Sequence, residues 1–127
     1  MSIVGVGVDS VELDRVAAAL ERTPTLAVKL FSPAELAYAD AAKGPLGRVE
    51  RLAVRFAAKE GVVKALGVGI FAIDHHDVEV VRAESGAPSL VVTGRAAALA
   101  AQRGVVHWHL SLTHTGRAAT AMVVASA

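Results

Sequence analysis

Glu60 is the residue whose placement demands most of its surroundings. It lies in RFAAKEGVVKALG, Arg55 to Gly67, a stretch with helical spacing. At ~100° per residue, Val49, Ala53, Phe56, Glu60 and Val63 project within roughly 40° of one line. The carboxylate therefore falls in the middle of an expected core-facing stripe. A buried, unpaired carboxylate is costly unless it is protonated or partnered. Two arrangements relieve the cost: Lys64, one turn on, is its ion-pair partner, or Glu60 is held for a metal ion. Asp9 follows an apolar run and precedes an expected helix. It is either the N-cap of that helix or a ligand-binding residue. Two carboxylates that meet in space can hold one Mg²⁺, which keeps waters and takes substrate phosphate oxygens at its other positions.

Basic residues flank Glu60. Arg48, Arg55 and Lys59 form a stripe beside the apolar one, and Lys64 lies on the other flank. The stripe is either a solvated face or a wall for phosphate, since a divalent cation with Arg and Lys nearby suits phosphoryl transfer. Gly67 reads as a helix C-cap and Gly69 as a place for close backbone approach. The Gly5-Val6-Gly7 pair lacks the third glycine of a dinucleotide fingerprint, because Ser10 stands there. His107, His109, Ser111 and Thr113 share one face of an expected strand, and Trp108, Leu110 and Leu112 share the core face. A His-x-His pair alone has too few ligands for zinc, and His75 and His76 would have to join it to complete a site. His114, at the strand end, could contact substrate or move a proton. No nucleophile-elbow motif supports a Ser/His/Asp hydrolase.

The elements that must position these residues follow from periodicity and punctuation. Residues 2–8 read as a buried strand ending at Asp9, and 11–22 as an amphipathic helix stopped by Thr23-Pro24-Thr25. A short helix spans 26–30. Ser32-Pro33-Ala34-Glu35 opens another with a capping box, and 47–66 is one long helix. Strands at 77–82 and 89–92 form a hairpin around Ser85-Gly86. Thr93 caps a helix to about Gln102, and strands at 105–113 and 118–125 close the chain. The order β-α-α-α-β-β-α-β-β predicts an α+β fold: an antiparallel sheet packed on one long helix and shorter ones. The 127 residues are expected to form one domain, 1–127. The mean hydropathy of +0.49 suggests apolar surface buried between subunits or an alanine-rich core. A net charge of +1 argues against nucleic-acid binding. No apolar run is long enough to span a bilayer. There is no signal-peptide pattern and no cysteine, so a cytoplasmic location is expected.

Three motifs carry a family resemblance: GVGVDSVELDR at Gly5–Arg15, RFAAKEGVVKALGVGI at Arg55–Ile70, and HLSLTHTGRAATAMVV at His109–Val124. SGAPSLVVTG at 85–94 adds a weaker fourth. Together they resemble the holo-acyl-carrier-protein synthases, the short type of 4′-phosphopantetheinyl transferase, across nearly the whole chain. The resemblance implies transfer of 4′-phosphopantetheine from coenzyme A to a serine of an apo acyl carrier protein, in lipid or polyketide synthesis. Asp9 and Glu60 match the family's Mg²⁺ ligands, and Lys64 the lysine that neutralises the phosphates. Arg55, Phe56, Lys59, Gly67 and Gly69 fall in its coenzyme A-binding stretch. Pro88, Ser111, Thr113 and His114 fall in its other coenzyme A-facing segments. Arg15 matches a position that docks the acidic carrier, with Arg22 a further one. Members of this length resemble homotrimers whose sites are shared between two subunits.

The chain departs from the family pattern at Gly61, where a glycine inside the helix suggests a bend, and at Thr115. The departure at Thr115 leaves the general base open among Glu60 through a metal-linked water, Asp9 and His114. The segment 71–76 reads as a loop. Two other functions stand beside this one: a different Mg²⁺-dependent phosphate-transfer enzyme, and a catalytically silent oligomeric module that binds coenzyme A or a carrier protein.

Overall fold

The computed structural model describes residues 2–69 and 71–127; Ile70, the last residue of the second motif, lies outside them. The elements are β1 (Ile3–Glu12), α1 (Leu13–Arg22), α2 (Leu26–Leu30), α3 (Pro33–Asp40), α4 (Gly47–Leu66), β2 (Val78–Arg82), β3 (Pro88–Val92), α5 (Gly94–Gln102), β4 (His107–His114) and β5 (Ala118–Ser126). The α+β class is the one expected, with four helices in place of three between the first and second strands. The strands form two antiparallel sheets, a three-stranded β1-β5-β4 and the hairpin β2-β3. A 3₁₀ turn at His75–Asp77 ends the segment expected to be a loop.

Strand β1 is longer than periodicity suggested. It stays paired with β5 as far as Glu12 opposite Ala118, and the helix begins only when Leu13 N–H donates to Arg117 O at 2.8 Å. Asp9 therefore neither follows the strand nor caps a helix. It sits inside β1, opposite Ala121. Strand alternation sends Gly5, Gly7, Asp9 and Val11 to one face of the sheet and Val6, Val8 and Ser10 to the other. The expected faces of β4 hold: Trp108, Leu110 and Leu112 pack inward, while His107, His109, Ser111 and Thr113 are exposed.

Helix α4 is held in the middle of the fold. The β1-β5-β4 sheet covers one side, and α3 and β2 lie on another. Burial consequently extends around most of its circumference, from Leu52 and Ala53 to Ala65 and Leu66. The stripe 49–53–56–60–63 is not the centre of that burial. Ala53 and Val63 are buried, but Val49, Phe56 and Glu60 lie at its margin. Gly61 lies inside α4, which is one continuous helix. It marks a close approach: a Cβ on Gly61 would lie 2.8 Å from Val123 Cγ2. A Cβ on Gly7 would lie 1.9 Å from the Gly61 carbonyl oxygen, and one on Gly5 would lie 1.9 Å from that of Ala65.

The hairpin and α5 complete the scaffold. The capping box at the start of α3 forms as expected, with Ser32 and Glu35 bonded reciprocally. Thr93 gives α5 no side-chain cap. Asp77 does that work from the 3₁₀ turn: its Oδ2 accepts from Arg95 N–H at 3.1 Å and Ala96 N–H at 3.5 Å. Gly94 is required there, because its φ is +56° and a Cβ would strike the Asp77 carboxylate. The strand–helix contact gives a direct test. Gly7→Ala should lower stability by about 3 kcal/mol, the upper range for overpacking a tight contact. Gly116→Ala, where a Cβ meets nothing within 4 Å, should change it little. Urea midpoints of the two variants compare them.

Candidate active site

The β1–α4 seam brings the first group of expected residues together. Lys64 Nζ donates to the Val8 carbonyl at 2.9 Å and to Asp9 Oδ1 at 3.1 Å. Lys64 thus partners Asp9, and no ion pair joins it to Glu60 among the described residues. Glu60 lies one turn earlier on the same helix face, and the imidazole of His75 approaches it, with Nε2 3.5 Å from Glu60 Oε2. Asp9 Oδ2 and Glu60 Oε2 are both buried without a hydrogen-bond partner. Oxygen atoms that only accept and have no donor fit a hard divalent cation. Two carboxylates suffice for one that keeps its waters. No cluster of three or more His, Asp or Glu with ligating geometry occurs among the described residues, so the histidines do not assemble a zinc site.

A second group meets elsewhere. Arg55, Pro88 and His114 line one cleft of about 340 Å³ together with Arg51 and Arg82. Tyr38 is its hub: the guanidiniums of Arg51, Arg55 and Arg82 lie 3.8, 4.5 and 5.0 Å from the ring centroid. Arg55 is only 4% exposed. Burial lowers its pKa, Tyr38 and Glu35 raise it, and Arg82 and Arg51 lower it further. Arg55 Nε is buried and unpartnered. His114 Nδ1 lies 3.0 Å from Glu50 Oε2. The cleft that Glu60 lines shares no residue with this one.

Lys59 departs from its expected role. It is 0% exposed, so it presents no atom to a ligand, and the basic stripe is neither a solvated face nor a continuous phosphate wall. Arg48, its exposed end, pairs with Asp40 at 2.8 Å. Lys59 Nζ is 2.9 Å from Glu35 Oε1 and also donates to the carbonyls of His75 and Val78. Glu35 in turn accepts from Ser32 N–H and Val80 N–H. Sequence reasoning saw Glu35 only as a capping residue. Nothing local connects it to Lys59, 24 positions on.

The remaining residues are scattered around these clusters. Phe56 lines both the Glu60 cleft and an apolar cleft of about 440 Å³. Arg15 lines that apolar cleft with Val16 and Leu20, and Arg22 is exposed in the last turn of α1. Gly67 caps α4 with a φ of +67°, and Gly69 follows in open space. Ser111 and Thr113 stand on the outer sheet face, exposed.

Residues 5–123 match the model of the 4′-phosphopantetheinyl transferase superfamily. The chain belongs to that superfamily. It is 54% identical to a holo-[acyl-carrier-protein] synthase of Frankia alni over 98% of each chain. The crystal structure of the holo-[acyl-carrier-protein] synthase of Neisseria meningitidis superposes with a TM-score of 0.87 at 28% identity, covering 99% of this chain and 100% of that one. The Bacillus anthracis holo-(acyl-carrier-protein) synthase, solved in complex with CoA (3′,5′-ADP), gives 0.79 at 32% identity, covering 97% and 96%. The fold of this transferase is therefore the one its three motifs implied.

The buried ion pair of the transferase can be tested directly. Glu35→Gln leaves Lys59 charged and unpaired and should cost about 3–5 kcal/mol, whereas replacing both by apolar residues should recover most of the loss. Burial pushes the Lys59 pKa below its ordinary 10.5, against the pull of Glu35. Between the lowered value and 10.5 the unfolded chain holds more protons than the folded one. This group's contribution to stability accordingly rises with pH through that window. Denaturant midpoints across the alkaline range should show the rise in the wild type and lack it in Lys59→Met.

Proposed function

We propose that the chain is a holo-[acyl-carrier-protein] synthase that transfers 4′-phosphopantetheine from coenzyme A to a serine of an apo acyl carrier protein. Adenosine 3′,5′-bisphosphate is the other product. The observation that carries this reading is the pair of donor-less carboxylate oxygens at Asp9 and Glu60, in a chain that matches such synthases over 98% of its length. A catalytically silent module is not favoured, because the relatives are named as synthases. Residues 1–127 act as one domain in the cytoplasm. No described helix is long and apolar enough to cross a membrane.

Asp9 and Glu60 would hold Mg²⁺. When bound, the ion stabilises negative charge on the pyrophosphate as it is cleaved. The carrier's serine oxygen attacks the phosphorus that bears pantetheine, the bond to the bridging oxygen breaks, and the bisphosphate leaves with the electron pair. Lys64 has three N–H donors. Two go to Val8 O and Asp9 Oδ1, and the third is free to meet a phosphate oxygen of the half-exposed site. The serine proton leaves toward water at the Glu60 carboxylate. His114, which shares the cleft of Arg55 and Pro88, is assigned to the nucleotide end of coenzyme A. There the cationic ring around Tyr38 suits phosphate. Phe56, Gly67, Gly69, Ser111 and Thr113 are assigned to the remaining coenzyme A contacts.

The cleft lined by Glu60 and the cationic cleft are separate cavities in one subunit. That separation supports a homotrimer in which the first group of one subunit faces the second group of its neighbour. The outer sheet face supports it too: Val6 is 56% exposed, Val8 53% and Met122 50%, an apolar patch of the kind that associates. Arg15, at the rim of the apolar cleft, and Arg22 suit an acidic carrier.

Incubation with coenzyme A, Mg²⁺ and a cognate apo carrier should add the mass of one phosphopantetheine group to the carrier. An unmodified carrier sinks the proposal. Glu60→Gln should abolish metal-dependent turnover with the circular dichroism spectrum and melting temperature retained. Arg15→Glu should raise the KM for the carrier, flatten its dependence on salt and leave the KM for coenzyme A near the wild-type value.

A further inference from the structure

His75 is not part of any role described so far, yet the fold fixes it at several points. Its ring stacks on Phe56, with centroids 5.9 Å apart and planes 5° from parallel. Its carbonyl accepts from the buried Lys59 Nζ at 2.9 Å. The turn that carries it is capped by Asp74, whose Oδ1 accepts from His76 N–H at 2.9 Å. His76 Nε2 lies 2.7 Å from the Val28 carbonyl and ties the turn to α2. All of this aims one edge of the imidazole at Glu60. His75 Nε2 and Glu60 Oε2 are both buried, neither has a hydrogen-bond partner, and they face each other at 3.5 Å.

We propose that His75 is a positioning residue for Glu60: in the loaded site its Nε2–H donates to one lone pair of Glu60 Oε2, leaves the carboxylate's other lone pairs open to the ion, and holds the carboxylate in the rotamer that binds the metal. The inference rests on the reading of Glu60 as a Mg²⁺ ligand. Two unpartnered buried groups facing each other cost free energy apart and gain it together. The separation is long for an N–H···O bond, as hydrogen bonds in unliganded sites often are before they tighten on loading. Phe56 sets the plane of the ring and Lys59 the height of the backbone, so the donor edge has little freedom. Mg²⁺ prefers oxygen ligands to imidazole, which places His75 behind the carboxylate rather than on the ion. Donors of this kind that orient a metal's ligands typically matter 10–100-fold in metal affinity.

The test is binding of Mn²⁺, used as the paramagnetic probe, to the full chain with coenzyme A present and no carrier, followed by electron paramagnetic resonance. His75→Phe keeps an aromatic ring to stack on Phe56 and removes the donor. His75→Gln removes the ring and keeps an amide donor. His75→Phe should bind Mn²⁺ about 10-fold more weakly than wild type at an unchanged melting temperature, and His75→Gln should recover most of the affinity. In turnover, His75→Phe should raise the metal concentration for half-maximal rate while kcat at saturating metal falls less. Wild-type Mn²⁺ affinity in His75→Phe, or equal losses in the two variants, overturns the positioning role. Glu60→Gln separates the two readings. If it loses Mn²⁺ while His75→Phe does not, only the role of His75 fails. If it binds Mn²⁺ like wild type, the metal assignment fails and the role of His75 with it.

Discussion

The spacing between β1 and α4 is set by backbone against backbone, and the site depends on it. Gly5 and Gly7 face the carbonyl oxygens of Ala65 and Gly61 with no room for a methyl group. The partner strand contributes Ala119, Ala121 and Ala125 to the same face, all buried. Small residues on both surfaces let the sheet settle on the helix. Asp9 is the next inward residue of β1 after Gly7, so it lands against the helix turn that carries Glu60 and Lys64. Its carboxylate is thus within reach of Lys64 without a long side chain on the strand. A sheet held off by ordinary side chains would leave Asp9 and the helix on opposite banks of a gap.

The other side of α4 is fixed by charge. Lys59 and Glu35 are both removed from water, which is unfavourable unless nearly every donor and acceptor is used. Here they are used: Ser32, His75, Val78 and Val80 all contribute backbone groups. The pair joins α3, α4, the 3₁₀ turn and β2 at one point. The sheet side gives the site its carboxylates and the ion-pair side gives it its surrounding turn. Phe56 sits between them, with one cleft on each flank.

The elements were legible because helical and strand periodicities are local. The capping box of α3, the unbroken length of α4 and the inward face of β4 all follow from neighbouring residues. Where the reading erred, the deciding partner was remote. Strand β1 runs three residues past Asp9 because β5, more than 100 positions on, continues to pair with it. Thr93 looks like a cap, but Asp77 takes the free N–H groups because the 3₁₀ turn delivers it there. Lys59 looks like a phosphate contact beside Arg55 until Glu35 is brought over it by α3. Asp9, Glu60 and Lys64 were legible as candidates from residue type and setting. That Lys64 chooses Asp9 over Glu60, leaving Glu60 to His75, depends on how strand and turn cross the helix.

Three guanidiniums around one phenol ring also have a consequence for how the free protein behaves. Tyr38 offers its face and its hydroxyl, the latter to Arg82, while Glu35 helps to keep Arg55 charged and Glu50 lines the same cleft beside His114. Arg51 and Arg82 each make Arg55 harder to keep charged. Like charges held this close repel one another, and a small polyanion among them would relieve the repulsion. If the cleft takes the nucleotide end of coenzyme A, phosphate or sulfate in the buffer would compete for the same guanidiniums, and the choice of buffer salt would set the baseline for measuring coenzyme A.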